Sequence, residues 1–487
     1  MKITLNGAIN RTYVQSLCMA FFHGIKFPAQ EQENKDGLEL FVSIEEKDDG
    51  LLSVATLKSG ERVASKEIFY KPFGETMERS LKTAVGHAVY SVCSAITQKN
   101  LEWGILTGIR PSKVAADLLK ENSAEEATKI LIDKYLLSAE KAALAIAVAK
   151  NESCIVSQTN EQKCSIYISI PFCPSRCTYC SFISYASKKL FDLIPSYVIR
   201  LVEDIRGTFG LIKELGLTLS CIYIGGGTPT MLNESQLEIV LKTIYECVDV
   251  TTLDEFTLEG GRPDTITEEK LNIAKKYGVG RISVNPQTLN DTVLEKIGRR
   301  HTVAEFLEAF NKVKASKITA VNTDLIAGLE GDNFESFKGT VDRILELEPE
   351  NVTIHTFCVK KSAQALHDDE QIYNKEDEDA IKSVNYALKT LTANGYVPYY
   401  MYRQKNTVGN LENIGYAKKG YMGLYNVFMM SDAHTVFGIG SGATTKLVKT
   451  INSKTEILRI FSPKYPYEYL RDNQKSFDKI KEFFDRR

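Results

Sequence analysis

Three cysteines within eight residues are the part of this 487-residue chain best suited to chemistry: Cys173, Cys177 and Cys180, in Pro171-Phe-Cys-Pro-Ser-Arg-Cys-Thr-Tyr-Cys180. The C-x3-C-x2-C spacing lets three thiolates close on one face of a metal centre from a single loop. Iron–sulfur clusters are held by such thiolates, and a four-iron cubane gripped at three corners leaves one iron open to a small ligand. Structural zinc is a competing reading, but it takes four protein ligands, and the nearest spare thiol, Cys164, precedes a strand that carries it away. Packed core thiols are the third reading, and it suits the isolated Cys18, Cys93, Cys154, Cys221, Cys247 and Cys358. Further chemistry-bearing groups recur downstream. Gly225-Gly-Gly-Thr-Pro-Thr230 allows close backbone approach, and its amides can meet a carboxylate or ammonium partner. Glu259 ends the third apolar run, a carboxylate at a strand tip. His301 and His355 stand at strand or helix ends, and read as satisfied polar residues rather than catalytic groups.

The elements that position these residues alternate. Short β-branched runs at Ser165–Ile170, Leu219–Ile224, Glu255–Glu259, Gly280–Val284, Ile318–Ile326 and Asn351–Phe357 are separated by helical patterns at Ser196–Leu215, Ser235–Cys247, Glu268–Tyr277, Thr302–Lys314, Phe334–Leu347 and Asp377–Asn394. Strand–helix alternation of this length predicts parallel βαβ units, and six units predict an α/β fold with a curved sheet or partial barrel. In such barrels the chemistry sits at the C-terminal ends of the strands, where the cysteine loop and the glycine turn both fall. Residues 1–160 read as a separate α+β domain, with strands at Leu38–Ile44 and Gly50–Leu57, a helix at Thr83–Thr97, a loop at Trp103–Pro111, helices to about Lys150 and a polar linker at Asn151–Lys163. Residues 164–398 form the barrel. From Tyr399 a polar, aromatic stretch is expected to cover the barrel mouth, followed by the Gly438–Gly442 turn and a charged helical tail.

Composition narrows the class. Apolar residues at 43% and charged residues at 25% fit an ordinary globular protein and exclude disorder or coiled coil as the main state. A net charge of −2 is a poor footprint for tracking nucleic acid. The longest apolar run, Ala142–Ala149, is too short to span a bilayer, and Met1–Gly24 lacks a leader pattern, so a cytoplasmic protein is expected. Ten cysteines in that setting are not a disulfide framework.

The cysteine triplet after the first core strand resembles the radical S-adenosylmethionine (SAM) superfamily. Tyr167-x-x-x-Pro-Phe-Cys and Gly-Gly-Gly-Thr-Pro-Thr resemble its oxygen-independent coproporphyrinogen III oxidase family, and Trp103-Gly-Ile-Leu-Thr-Gly-Ile-Arg-Pro with Tyr402-Arg-Gln-Lys-Asn resemble the HemZ-type branch. The resemblance implies a 4Fe-4S cluster on Cys173, Cys177 and Cys180, and SAM contacts from Gly226, Gly227, Thr228, Glu259, Gln287, Arg299 and Asp324. It implies Tyr167 and Tyr179 flanking the cluster, and a weaker adenosine contact at Thr444. It further implies reductive cleavage of SAM, hydrogen removal from substrate propionates and their oxidative decarboxylation to vinyl groups without dioxygen. A tetrapyrrole substrate and a reduced flavodoxin- or ferredoxin-like donor follow from it. Arg403, Lys405 and Lys446 are the expected partners of the substrate carboxylates. Two positions depart from the studied oxidases: Ser169 replaces a histidine and Phe182 a fourth cysteine. Rival readings are a haem-binding chaperone of the same family, whose branch carries a histidine where Tyr425 precedes Asn426 here, and a radical SAM methyltransferase acting on haem.

Overall fold

The computed structural model describes all residues except 28–36, 73, 181–183, 359–376, 405–406, 452–453, 473–475 and 486–487. Six strands run parallel in chain order: β5 (Lys163–Ile170), β6 (Thr218–Gly226), β7 (Glu255–Gly261), β8 (Arg281–Val284), β9 (Ala320–Ala327) and β10 (Asn351–Thr356). Helices at Ile194–Glu214, Glu234–Cys247, Glu268–Lys276, Val303–Ser316 and Phe334–Glu346 connect them, within a few residues of the expected spans. Their starts follow from local chemistry. Asn233 with Gln236 and Thr302 with Glu305 form reciprocal capping boxes that satisfy the first free amides of their helices.

Period-2 alternation divides each strand between two faces. Ile166, Ile168, Ile222, Ile224, Phe256, Leu258, Ile282, Val321, Val352 and Ile354 join the core shared with the helices. The intervening residues, among them Tyr167, Tyr223, Glu259, Asp324 and His355, therefore share the opposite, concave face. One side of this sheet is a hydrophobic wall and the other a polar, aromatic interior, so the catalytic candidates share a face because of register alone.

The sheet continues beyond the six strands. β11 (Val397–Arg403) and β12 (Glu412–Ala417) add antiparallel at the β10 edge, whereas β13 (Thr435–Ile439) adds parallel to β5 at the opposite edge and carries β14 (Thr444–Ile451) and β15 (Lys454–Phe461). Between β12 and β13 the chain forms a helix at Leu424–Met430, whose first amides are taken by the Glu255 carboxylate (Leu424 N to Oε2, 2.8 Å). Tyr425 on this helix stacks against Tyr223 and Tyr167, with ring centroids 4.6 and 6.0 Å away. The C-terminal part is thus mostly strand rather than a helical extension; only Pro466–Arg471 and Phe477–Asp485 close the chain as helices. Alternating Thr, Lys, Leu and Val in Thr444–Ile451 was the signal for a hairpin there.

The N-terminal part has two packing allegiances. β1 (Lys2–Asn6), β2 (Leu38–Lys47), β3 (Gly50–Ser59) and β4 (Arg62–Tyr70) form their own sheet in that order, covered by helices Arg11–Phe21 and Met77–Thr97 around a separate core. Helices Pro111–Leu118, Ala124–Asp133 and Ala139–Val156 instead contribute to the barrel core. The last of these runs into the expected linker and shortens it. It carries Lys141, fully buried, whose Nζ lies 2.7 Å from Glu412 Oε1 and 2.9 Å from Asn385 Oδ1; Trp103 Nε1 donates to Glu412 Oε2 at 2.6 Å. No described helix is long and apolar enough to cross a membrane.

Candidate active site

The cysteine loop leaves β5 and is pinned from three directions. Cys173 N donates to Tyr185 O (3.0 Å), Thr178 N to Ile297 O (3.1 Å), and the glycine turn binds it through Gly227 N to Ile170 O and Thr228 N to Phe172 O, both 2.8 Å. Cys173, Cys177 and Cys180 line one cleft at the C-terminal ends of the strands, with about 1060 Å³ of empty space open to solvent. Gly226, Gly227, Thr228, Glu259, Gln287, Arg299 and Asp324 line the same cleft, as does Tyr179. The fold therefore brings all of these residues, which the resemblance assigned to the cluster and SAM, to one place from six separate stretches of chain.

Close approach explains the glycines. Gly226 has φ of +117°, and a Cβ on Gly227 would fall 2.7 Å from Phe172 O and 2.8 Å from Cys173 Sγ. Gly227→Ala is accordingly expected to push the loop outward and to lower the iron retained after anaerobic reconstitution at least severalfold, read by iron analysis, while far-ultraviolet dichroism stays unchanged.

The polar wall is tightly cross-linked. Asp324 accepts from Asn285 Nδ2 and Asn322 Nδ2, both at 2.8 Å, and Arg299 donates to Asn285 O (2.6 Å) and to the Tyr179 hydroxyl (3.2 Å). Gln287 is held at φ of +72°, left-handed for a residue with a side chain, by Gln287 N to Asp324 O and Ile326 N to Gln287 O. Such strain persists where neighbours over-determine it, as at binding sites. Burial opposes ionisation of Asp324, but its contacts with His355, Asn322 and Thr353 hold its carboxyl below the usual range. In Glu259 the balance falls the other way: burial and the neighbouring Asp324 raise it to about 8 against the opposing pull of the Tyr223 hydroxyl and Arg299.

A raised folded-state value means that the native carboxyl keeps a proton the unfolded chain has lost. Stability is then lost as pH climbs from about 4.3, the unfolded value, toward 8, and the loss is complete above it. Glu259→Gln in the ligand-free protein is expected to match wild type at pH 4 and to exceed it in thermal midpoint at pH 9. Equal midpoints at pH 9 would refute the assignment.

The residues fit a thiolate-held cluster. None of the three cysteines is in a disulfide. Burial raises Cys173 to about 11, a penalty that a bound cation would reverse, and Thr228 Oγ1 donates to its sulfur at 3.4 Å. Arg262 Nη1 stands 4.0 Å from Cys177 Sγ, oriented by Ser175 and by a two-pronged pair with Asp264 (2.9 and 3.1 Å). Arg262 and Asn285 are site residues that their types and spacing did not single out, although each stands close to a chosen position, in Glu259-Gly-Gly-Arg262 and Asn285-Pro-Gln287.

Other candidates are not brought to the cleft. Tyr167 lies beneath it, in the tyrosine stack. Thr444 starts β14, whose backbone packs on Gly438. Arg403 is a correction: its side chain is buried, donates to Leu106 O and Asn410 O, and lies over the Trp103 ring at 5.4 Å. Lys446 is another, its buried ammonium spent on the carbonyls of Phe428, Met429 and Ser431 at 2.6–3.0 Å. Both stay inside because a buried cation must be matched by acceptors, and here backbone carbonyls supply them. Lys405 and Phe182 lie outside the described residues.

The sequence model of the radical SAM superfamily matches residues 167–344. An oxygen-independent coproporphyrinogen-III oxidase-like protein, HemZ of Bacillus subtilis (strain 168), is 34% identical over 88% of this chain and 89% of its own length. The haem chaperone HemW of Lactococcus lactis subsp. lactis (strain IL1403) is 30% identical over 58% of this chain and 69% of its own. The solved structure of coproporphyrinogen III oxidase (HemN) from Escherichia coli shares the fold, with a TM-score of 0.52 at 20% identity, over 68% of this chain and 72% of that one. The chain belongs to the radical SAM superfamily and, within it, to the HemZ/HemN-like coproporphyrinogen oxidase family. A 4Fe-4S cluster and SAM are the cofactors of that class.

Proposed function

We propose that this protein decarboxylates propionate side chains of coproporphyrinogen III to vinyl groups without dioxygen. The observation that carries the reading is the convergence of three cysteines with Glu259, Gln287, Arg299 and Asp324 on one open cleft, in a chain alike to HemZ along nearly its whole length. When bound, the cluster and SAM supply one-electron cleavage of the sulfonium and so the means to remove a hydrogen atom. Cys173, Cys177 and Cys180 hold the cluster, and the glycine turn with Glu259 receives the amino-acid end of SAM. Gln287 would lie near its ribose, and Arg299 and Asp324 would supply further contacts to it. Each propionate then gives up one β-hydrogen atom, carbon dioxide and one electron as its carbon–carboxyl bond breaks and a double bond forms. A reduced flavodoxin- or ferredoxin-like protein is the proposed reductant, and a one-electron acceptor takes the product electron.

Likeness to haem chaperones favours haem binding as the second reading. Against it stands Tyr425, where the chaperone reading needs an imidazole: the residue is a phenol, 6% exposed, inside the tyrosine stack. Reduced, reconstituted protein given SAM and coproporphyrinogen III is expected to yield protoporphyrinogen IX and carbon dioxide. Stoichiometric haem binding with no such product would replace the oxidase reading with the chaperone.

A further inference from the structure

Among the described residues lining the cleft, Arg262, Arg299 and His355 are the basic groups, and two of the three are already spent. Arg262 is 3% exposed and locked to Asp264 and Ser175 beside the cluster loop; Arg299 is 9% exposed and locked to Asn285 O and Tyr179. His355 differs. It lies near the end of β10 on the concave face, its side chain is 27% exposed, and both ring nitrogens have only long contacts. Nε2 is 3.8 Å from Asp324 Oδ2, beyond hydrogen-bond range, and Nδ1 is 3.4 Å from the Tyr402 hydroxyl. Tyr402 comes from β11, lines the same cleft, and is met by the Gln404 side chain. An imidazole and a phenol thus stand side by side in the cleft, held only by long contacts with each other and with Asp324. They line the cleft, in the role of carboxylate partner that Arg403 and Lys446 were expected to fill.

We propose that His355 and the Tyr402 hydroxyl form the clamp that receives a substrate carboxylate. The inference rests on the function proposed for the cleft, that it takes a polycarboxylate tetrapyrrole. The clamp binds one propionate end with two donors, a ring N–H and the phenol O–H. Placement next to Asp324, a proposed SAM contact, sets the held side chain beside the SAM end of the cleft. A single charge-assisted hydrogen bond contributes about 1.5–3 kcal/mol, so its loss costs roughly tenfold or more in affinity.

The test uses the full-length protein and coproporphyrin III, the stable oxidised tetracarboxylic acid, compared with its tetramethyl ester by porphyrin fluorescence. Wild type is expected to prefer the acid; His355→Ala weakens the acid about tenfold and leaves the ester unchanged, and Tyr402→Phe weakens the acid less. His355→Gln, which keeps a donor, restores part of the loss, and this variant with Tyr402→Phe decides the matter if His355→Ala fails to fold. Unchanged acid affinity in the folded variants, an equal loss for acid and ester, or no acid preference in wild type overturns the clamp. If the acid preference depends on His355 and yet no porphyrinogen is decarboxylated, the proposed activity falls while the carboxylate site stands.

Discussion

Serine at position 177 is expected to give a folded, colourless protein that takes up little iron and cleaves no measurable SAM under strong reductant. Cys177 is 8% exposed, its sulfur faces Arg262, and its loop is hydrogen-bonded to three separate segments, so a hydroxyl fits the space without moving the backbone. The loss should exceed the roughly 10–100-fold that removal of an outer partner of a metal ligand costs, because a corner of the cluster itself goes. Cys358→Ser is the matched control. Cys358 lines the same cleft but just beyond β10, across from the loop, and its serine variant is expected to keep its iron and colour. A brown, active Cys177→Ser protein would dismantle the assignment of the cluster.

The second large effect is on stability and lies far from the thiols. Lys141 and Glu412 are both fully buried and 2.7 Å apart, joining a helix N-terminal to the barrel with a strand near its end. Breaking such a pair from one side leaves a charge without a partner and costs about 3–5 kcal/mol, whereas replacing both members by apolar groups is often close to neutral. Lys141→Met is therefore expected to unfold at much lower urea, and Lys141→Met with Glu412→Leu to recover part of the difference, the Trp103 indole N–H losing its acceptor. The chain has one tryptophan, and Trp103 donates to this same Glu412, so its emission follows the event directly. Equal midpoints for the single and double variants would show that the pair is not the source of the stability.

Much of the fold is legible in the residue pattern alone. The six parallel strands and their helices fall within a few residues of their expected bounds because each is strongly apolar on one face and follows its own period. The cysteine loop, the glycine turn and Glu259 are legible because strand tips concentrate chemistry, whereas Gln287, Arg299 and Asp324 are picked out only by the family resemblance. What stays hidden depends on contacts distant in sequence. Arg403 and Lys446 look like solvated charges in a polar stretch; only the packing of Trp103 and of helix Leu424–Met430 turns them inward. His355 looks like an ordinary polar residue because nothing local says that Tyr402 arrives beside it from β11. The helices at 111–156 read as part of a separate unit, since a helix pattern gives the direction of its apolar face but not its neighbour.

The route taken by the last strands has a consequence for synthesis. β13 supplies the second neighbour of β5, so Thr435 pairs with Cys164 across 271 positions of chain. At roughly 5–20 residues per second a ribosome needs on the order of 10–60 s to bridge that distance. Throughout that interval one edge of β5 has no partner, and the cysteine loop hangs from a strand whose seat is unfinished. A chain cut short before β13 would emerge with its three thiols made but its first core strand open to pairing with a stranger.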